Sequence, residues 1–450
     1  MRFSGRTSTT TTTALAFLVA GGLAHGADEV QALEQRLRIV ERQLEIQQEA
    51  AAEAAKKTPV VSAGEKGFAV KSADGTYELK LRALTQFDGR FFLDDDGANS
   101  DSLQFRRIRP TLEGSLGKLI GFRITPEFAG SSTSVVDAYA DFRFDPAATV
   151  RVGKVKGPVG LERLQSGGAI TFIERGFPTE LVPNRELGIQ LQGALLDNTL
   201  TYALGWFNGA ADGRDTPASD ADNNKELEGR IFLEPFRNTP GFFQGLGFGI
   251  AGTDGSKDSD GIADTGTNAK PQYRTPGQNR FFKYDDSVLA AGDQSRWSPQ
   301  LYFYRDSFGL LAEYVESRQR LAKGPVEDDI SNTAWQVAAS YVLTGESASY
   351  RGIGTLKSAF VPGGSGWGAF EVAARYGVLD VDNAAFDRGF ASINSQASEA
   401  RAWTLGVNWY LTANAKLALN YSQTAFDGGA AGGSDRNDEK ALFTRAQISF

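Results

Sequence analysis

The chain ends in DEKALFTRAQISF, residues 438–450. From Leu442 onward the side chains alternate, so that two faces of an extended strand differ in character. One face carries Leu442, Thr444, Ala446, Ile448 and Phe450, and the other carries Phe443, Arg445, Gln447 and Ser449. A strand with one apolar and one polar face, ending on an aromatic residue, is typical of the closing strand of an outer-membrane barrel. The pattern therefore predicts a closed barrel.

The first 26 residues have the features of a secretory signal. Arg2 and Arg6 precede an apolar run, Ala14–Ala24, which ends at small residues before Gly26. This run has eleven residues, well short of the ~20 that a membrane helix needs. We therefore predict that residues 1–26 form a signal peptide and that cleavage follows Gly26.

Composition excludes several classes of function. Without its two signal-peptide arginines the chain changes from a net charge of −8 to −10, which argues against a nucleic-acid partner. Cysteine is absent, and the only histidine, His25, lies in the signal peptide. Cysteine nucleophiles, Ser–His pairs and His-based metal centres are thus excluded, and we predict a protein that is not an enzyme and has no cofactor or metal site.

Residues 27–57 form a segment of their own. The stretch 28–57 contains neither Gly nor Pro, and Val30, Leu33, Leu37, Val40 and Leu44 step by three and four. This heptad pattern predicts a periplasmic coiled-coil helix, the alternative being a lone solvated helix or a partly disordered tail. Residues 58–74, with Pro59, Gly64 and Gly67, are predicted to be a linker.

Strand patterns with turn signals recur from residue 75 to the end, and the count favours an even number of sixteen. All six tryptophans fall in or beside these strands, which indicates an aromatic band at a lipid interface. The stretch 278–287 is a weak strand candidate, and 209–224, 253–276 and 380–398 are predicted to be long loops. The predicted fold is all-β: a transmembrane antiparallel barrel over 75–450, wide enough for an aqueous lumen.

One long connection, Val155–Asn184, is partly apolar and is predicted to fold into the barrel and constrict it. Upstream of it, three guanidinium groups fall within the segment FRRIR, residues 105–109. Arg107 and Arg109 share the polar face of a strand. Arg106 has the opposite parity, which predicts a bulge or a strand end at that position.

The segments FRRIRPTLEGSLG (105–117), VDAYADF (136–142), VGKVKGPVGLERLQSG (152–167), FIER (172–175) and YALGWFNG (202–209) together resemble the phosphate- and polyphosphate-selective porin O/P family. The resemblance covers residues 75–450. It implies a sixteen-stranded, trimeric outer-membrane porin whose third loop folds inward. It also implies that Arg and Lys side chains hold and pass phosphate.

The resemblance further implies an anion-binding constriction built from residues of this chain. Its members are Arg106, Arg107, Asp137, Arg163, Ser166 and Arg175. Asp141 is an alternative to Asp137, because a one-residue gap in the match to the family leaves the choice of the acidic residue open. Gly167 and Gly168 depart from the family pattern, so one hydroxyl and one lysine of the phosphate clamp are missing. This departure predicts a looser hold on phosphate.

Other interpretations stay open. Arg106, Arg107 and Arg163 could instead pair with acidic side chains and brace the loop. The barrel could be a general porin or one for another anion, or a tether in which residues 28–57 contact the cell wall. The expected partners are phosphate or polyphosphate, outer-membrane lipid and two further copies of the chain. Asp94-Asp95-Asp96 could bind Ca²⁺, but its setting predicts a loop tip.

Overall fold

The structure is a computed structural model that describes residues 26–55, 58–93, 99–216, 223–259 and 270–450. The chain divides into two units, residues 1–58 and 59–450. Within the first unit, an α-helix spans Gly26–Ala55. The helix that the heptad pattern predicts is therefore present. The predicted loop tip at residues 94–96 and the signal peptide up to residue 25 lie outside the described residues.

The second unit is a closed antiparallel barrel of sixteen strands, as the sequence predicts. In chain order β1 to β16 are Glu78–Leu93, Ser102–Leu116, Ile120–Glu127, Ser134–Asp145, Ala148–Val155, Glu186–Leu195, Leu200–Phe207, Glu226–Leu233, Leu246–Asp258, Leu289–Arg305, Phe308–Lys323, Val326–Val342, Ala369–Asp380, Ala397–Thr412, Ala415–Gly428 and Glu439–Ser449. Each strand pairs with the next one. β16 pairs with β1 from Lys440 opposite Leu93 to Ser449 opposite Leu84, which closes the barrel.

The alternation along β16 sorts its side chains as the sequence predicts. Arg445 is only 3% exposed and faces the interior, whereas Ile448 is 58% exposed on the outer surface. Tryptophans on other strands, Trp206 of β7, Trp335 of β12 and Trp403 of β14, are likewise exposed. Lipid can accept apolar side chains but no unpaired backbone, and closure of the sheet leaves no strand edge.

The predicted linker, residues 58–74, contains a structure that the sequence analysis did not find. Val60–Gly64 and Gly67–Lys71 form a β-hairpin. The second strand pairs with β1 from Phe68 opposite Leu81 to Lys71 opposite Glu78, beyond the part of β1 that pairs with β16. The predicted linker therefore includes a paired hairpin. The reason is that β1 is longer than its partner β16 and leaves an edge that the hairpin covers.

Short turns and long connections fall mostly on opposite rims, as expected for such barrels. The short-turn rim carries the turns 117–119, 146–147, 306–307 and 413–414. One connection on the same rim, residues 343–368, is long and contains two short strands, Ala348–Ser349 and Gly352–Ile353. The weak strand candidate at 278–287 is not a wall strand. Its part Arg280–Lys283 forms a small hairpin with Gln272–Arg274.

Apolar side chains fill part of the barrel near the long-loop rim. The small hairpin contributes Tyr273 and Phe282, and both are fully buried. They belong to one apolar cluster with Phe177, Leu181 and Phe390 from other connections. This packing occupies interior space that would otherwise be water. In the part of the chain that the structure describes, no helix is long and apolar enough to cross a membrane.

Candidate functional site

The connection between β5 and β6, residues 156–185, lies inside the barrel and is called the inward loop here. It contains a short α-helix, Leu161–Leu164, and a 3₁₀ turn, Phe177–Glu180. Leu161, Ile170 and Ile173 are at most 1% exposed. Surface loops do not bury apolar side chains in this way. The apolar residues of the loop therefore act as its core within the barrel.

Polar side chains of the wall hold the backbone of the inward loop. Gln86 donates a hydrogen bond to the Gly167 carbonyl at 2.9 Å, and Gln447 donates one to the Gly168 carbonyl at 3.0 Å. Further along, the Ile173 N–H donates to the Asn420 Oδ1 atom at 2.7 Å. Buried backbone groups need such partners. These three contacts come from β1, β15 and β16, the strands at and beside the seam, and Glu313 of β11 accepts hydrogen bonds from the loop as well.

Glu174 of the inward loop is the centre of a buried ion cluster. Its carboxylate pairs with Arg90 at 2.9 Å and with the Arg106 Nε atom at 2.6 Å, while Arg445 lies 3.8 Å away. Arg445 in turn pairs with Asp88 at 2.7 Å. Burial alone would raise the pKa of the Glu174 carboxyl, but the Arg106 guanidinium and its neighbours outweigh it and hold that pKa well below its usual range. Glu174 is thus a permanent anion that anchors the loop.

Two of the four arginines predicted for the constriction, Arg106 and Arg107, lie on β2 and both point inward because β2 has a bulge. Gln86 pairs with Arg107 and Phe87 with Phe105, so Arg106 has no partner in the register. The predicted bulge at Arg106 is confirmed. The Arg106 side chain pairs with Glu174. Arg107 is 3% exposed, donates a hydrogen bond to Gln86, and has no partner for its Nε atom among the described residues.

Arg163 and Arg175, the loop arginines, are engaged with oxygen atoms of the chain. The Arg163 guanidinium donates to Asn184 Oδ1 at 3.0 Å and to the Thr179 carbonyl. The Arg175 guanidinium donates to the carbonyls of Glu162 and Gln165 at 3.0 and 2.8 Å. Burial lowers the pKa of Arg175 to about 9. Both arginines therefore stabilise the inward loop through hydrogen bonds within the loop.

Asp137 and Ser166, the two remaining predicted residues, line a cavity of about 970 Å³. The cavity lies on the side of the inward loop that faces the short-turn rim. Asp137 pairs with Arg185 at 3.3 Å. Arg106, Arg107, Arg163 and Arg175 are not among its lining residues, although Gly167 and Gly168 are. The structure therefore divides the six predicted residues between two settings.

The lining of this cavity is strongly cationic. Of its described residues, ten are Lys or Arg and only two, Glu65 and Asp137, are acidic. The ten cations are Lys66, Arg82, Arg109, Arg123, Arg151, Lys156, Arg185, Arg230, Arg351 and Lys416. Several are partly neutralised, since Arg151 pairs with Asp141 at 2.6 Å and Arg109 with Glu127 at 2.6 Å. The chain as a whole is acidic, so positive charge is concentrated here.

Five of these cations have no carboxylate within ion-pair distance among the described residues: Lys66, Lys156, Arg230, Arg351 and Lys416. Lys66 and Arg351 are exposed, whereas the other three are at least partly buried. Lys156 donates to the carbonyls of Arg163 and Gln165, both at 2.6 Å. Arg230 donates to Gln300 at 2.9 Å, and Lys416 to the Ile170 carbonyl at 3.2 Å. Burial, with Arg175, Arg185 and Arg163 nearby, lowers the pKa of Lys156 well below its usual range. Arg230 and Lys416 present to the cavity a positive charge that no carboxylate pairs with, and Lys156 does so at a pH below its lowered pKa.

Sequence reasoning missed Arg230 and Lys416, because each is a single cation on a strand far from the motif-bearing segments. The available signal was parity. Arg230 lies two residues from Glu228 and from Phe232 on the same strand. The three side chains therefore share one face, which is the inner one. The long connection 343–368 was also missed. Its Tyr350 carbonyl accepts a hydrogen bond from Gln165, and Arg351 lines the cavity.

Comparison with known proteins agrees with this architecture. The profile of the family "Phosphate-selective porin O and P" matches residues 78–450. Porin O of Pseudomonas aeruginosa is 26% identical over 408 residues, which is 85% of this chain and 91% of that protein. The outer-membrane channel DcaP of Acinetobacter baumannii superposes with a TM-score of 0.54 at 13% identity, over 85% of this chain and 99% of that one. An anion-selective porin from Comamonas acidovorans superposes with a TM-score of 0.50 at 13% identity, over 83% and 100% of the two chains. The chain therefore belongs to the phosphate-selective porin O and P family of outer-membrane barrels.

Proposed function

We propose that this porin passes small anions of the phosphate class through the cationic cavity on the short-turn side of the inward loop. The observation that carries the proposal is the composition of the cavity lining, ten cations against two carboxylates. Five of the cations lack an acidic partner among the described residues, and three of these, Lys156, Arg230 and Lys416, are at least partly buried. A solute crossing this cavity meets a positive field, which admits anions and excludes cations.

The geometry of the lining suits an oxyanion. Guanidinium groups offer two parallel N–H donors to phosphate oxygens, and Lys adds a compact point charge. Arg109, Arg123 and Arg185 reach the same cavity as Lys156. At 0.1 M salt the screening length is about 10 Å, so charges in this narrow space outweigh the acidic residues elsewhere on the chain. Charge on the wall, and not net charge of the chain, sets the ion preference.

Conduction also needs release. Most cavity arginines keep a carboxylate or amide partner, which moderates their pull on a passing anion. Gly167 and Gly168 line the cavity without side chains where the family pattern has a hydroxyl and a lysine. We infer a loose hold on phosphate, and passage of other small anions as well. Polyphosphate, with repeated charges, would contact several cations in turn.

The six residues predicted for the constriction divide into two roles in this proposal. Ser166 contacts the passing anion from the cavity wall as a neutral donor, and Asp137 holds the cavity cation Arg185 in place. Arg106, Arg107, Arg163 and Arg175 fix the shape of the inward loop, because their guanidinium groups bond to oxygen atoms of the chain. The bracing alternative is thus favoured for the arginines whose partners are buried.

The N-terminal helix is assigned to assembly. The heptad residues Leu33, Leu37, Val40 and Leu44 are all more than half exposed in a single chain. Burying such a stripe against two further copies would stabilise a periplasmic coiled coil and a trimer. A tether to the cell wall is the alternative use of the same surface. Deletion of residues 27–57 should leave a conducting barrel with a weaker trimer, measured by single-channel recording and by mass in detergent.

Reversal potential in a salt gradient tests the proposed ion preference. The wild-type protein should prefer chloride over potassium, and Arg230→Glu with Lys416→Glu should weaken or reverse that preference, because two uncompensated cations become anions. Arg237→Glu is the matched control, since Arg237 is an exposed arginine of the connection between β8 and β9 and does not line the cavity. A double variant that keeps the wild-type reversal potential would refute the proposed anion path.

A further inference from the structure

Three carboxylates meet on the inner wall of the barrel where the inward loop ends. Glu186 is the first residue of β6, and Glu226 and Glu228 lie at the start of β8. β7 separates the two strands, and its Phe207 pairs with both Glu226 and Gly188. One oxygen from each carboxylate lies within 4.8 Å of those of the other two, and the three side chains are buried.

The hydrogen bonds of the three carboxylates are incomplete. Glu226 accepts from Arg296, and one oxygen of Glu186 accepts from the Thr216 hydroxyl at 2.6 Å. The other oxygen of Glu186 and both oxygens of Glu228 have no partner among the described residues. Glu228 is 0% exposed, so water does not satisfy it from bulk solvent. Burying a carboxylate without any hydrogen-bond donor costs free energy, and a bound cation or a proton would reduce that cost.

The surrounding charges do not balance the three carboxylates. Arg296 is shared between Glu226 and Asp212, which it contacts at 2.6 Å. Lys257 donates its hydrogen bonds to the carbonyls of Asn208 and Gly209. Were all four carboxylates ionised, they would face two cations and keep an excess of two negative charges. A divalent cation has the charge that this group lacks.

The inward loop leaves space for the unpartnered carboxylate through Gly157. A Cβ atom at Gly157 would lie 2.1 Å from the Glu228 Oε2 atom. Any side chain there would displace the carboxylate, so the backbone of the loop approaches it only because residue 157 is glycine. Gly157, near the start of the loop, and Glu186, just after its end, therefore both lie beside the Glu228 carboxylate.

We propose that Glu186, Glu226 and Glu228 bind one Ca²⁺ ion. The donor set consists of carboxylate oxygens alone, which hard cations prefer. Oxygen atoms within 4.8 Å of one another can share one Ca²⁺ ion at 2.3–2.6 Å, whose coordination geometry is flexible, whereas Mg²⁺ at 2.0–2.1 Å demands a near-ideal octahedron. The ion joins the two ends of the inward loop to β8. It also cancels an excess of negative charge inside a barrel that passes anions.

Calcium titration of the purified porin, stripped with EDTA and kept in detergent, tests the proposal. Calorimetry should show one Ca²⁺ per chain, and Glu228→Gln and Glu186→Gln should each weaken binding at least about tenfold. Glu113→Gln is the matched control. Glu113 is also a wall carboxylate, but it already lies between Arg82 and Arg123 at 3.5 and 3.4 Å, so its loss should leave calcium binding unchanged.

Thermal unfolding supplies a second measurement, since a ligand that binds only the folded state raises the midpoint. Calcium should raise the midpoint of the wild-type protein and of Glu113→Gln, but not that of Glu228→Gln. The proposal is overturned if the wild-type protein binds no Ca²⁺ at millimolar concentration, which would mean that Glu228 carries a proton. It is also overturned if Glu228→Gln binds as tightly as the wild type, or if Mg²⁺ competes with higher affinity than Ca²⁺. Each outcome is independent of the reversal potential that tests the ion preference.

Discussion

Two groups of cationic side chains lie inside the same barrel and differ in what they contact. The bracing arginines, Arg90, Arg106, Arg163, Arg175 and Arg445, bond to Glu174, to Asp88 or to oxygen atoms of the inward loop and its flank. The open cations, Lys156, Arg230 and Lys416, line the cavity without a carboxylate partner among the described residues. The comparison teaches that the location of an arginine in the lumen does not assign it to the solute. Its partner decides whether its charge reaches the pore.

The largest expected effect concerns the carboxylate that the bracing arginines share. Glu174→Gln leaves the buried Arg90 and the partly buried Arg106 without their counter-charge, and breaking a buried pair in this way costs about 3–5 kcal/mol. We expect a loss of that size in the free energy of unfolding, measured by denaturant titration in lipid. Glu113→Gln, at a partly exposed carboxylate, should lose less than 1 kcal/mol. Equal losses in the two variants would remove the distinction between bracing and open charges.

The second expected effect compares the same change in the two groups. Arg163→Met should destabilise the porin by about 1–3 kcal/mol, because Asn184 and the Thr179 carbonyl lose a donor. It should alter the chloride-to-potassium permeability ratio little. Arg230→Met should do the reverse and lower that ratio with a smaller loss of stability. Reversal potentials and unfolding curves for both variants check this, and a crossed result would exchange the two roles.

The third expected effect is a pH dependence that comes from Lys156. Because its pKa is lowered, Lys156 is charged below that pKa and becomes neutral as pH rises through it, before an ordinary lysine would. As pH rises, anion preference should therefore decline before it reaches 10.5, the usual pKa of a lysine side chain. Lys156→Arg should keep the preference to higher pH, since guanidinium stays charged. Arg175→Met is the control, because burial lowers the pKa of Arg175 as well. If the anion preference of Lys156→Arg declines with pH as it does in the wild type, Lys156 is excluded as the cause.

The smallest expected effect concerns a position that offers the anion nothing at present. A Cβ atom at Gly168 would meet Leu84 at 3.4 Å, an ordinary contact, so a side chain fits there. Gly168→Ser should strengthen the block of chloride current by phosphate about two- to tenfold, the value of one hydrogen bond of about 0.5–1.5 kcal/mol. Gly168→Ala is the matched control without the hydroxyl. An equal change in both variants would attribute the effect to shape.

The bulge at Arg106 and the hairpin at residues 60–71 show where prediction from sequence succeeds and where it stops. The bulge follows from a break in the alternation of residues 105–109, which is visible in a few neighbouring residues. The hairpin depends on an edge of β1 that β16 leaves free. That edge exists only once the barrel has closed. The length difference between two strands far apart in the chain decides it.

The amino-acid sequence by itself determined the barrel, its sixteen strands and the facing of each side chain along β16, because alternation with a period of two is a local property. The absence of His and Cys after residue 25 likewise excluded whole classes of chemistry. Tertiary structure alone decided which cations are neutralised and which carboxylates are left without partners. Glu174 meets Arg90, and Glu186 meets Glu228, across many residues and several strands. Electrostatic energy depends on distance and burial in space, and neither is written in the spacing of residues along the chain.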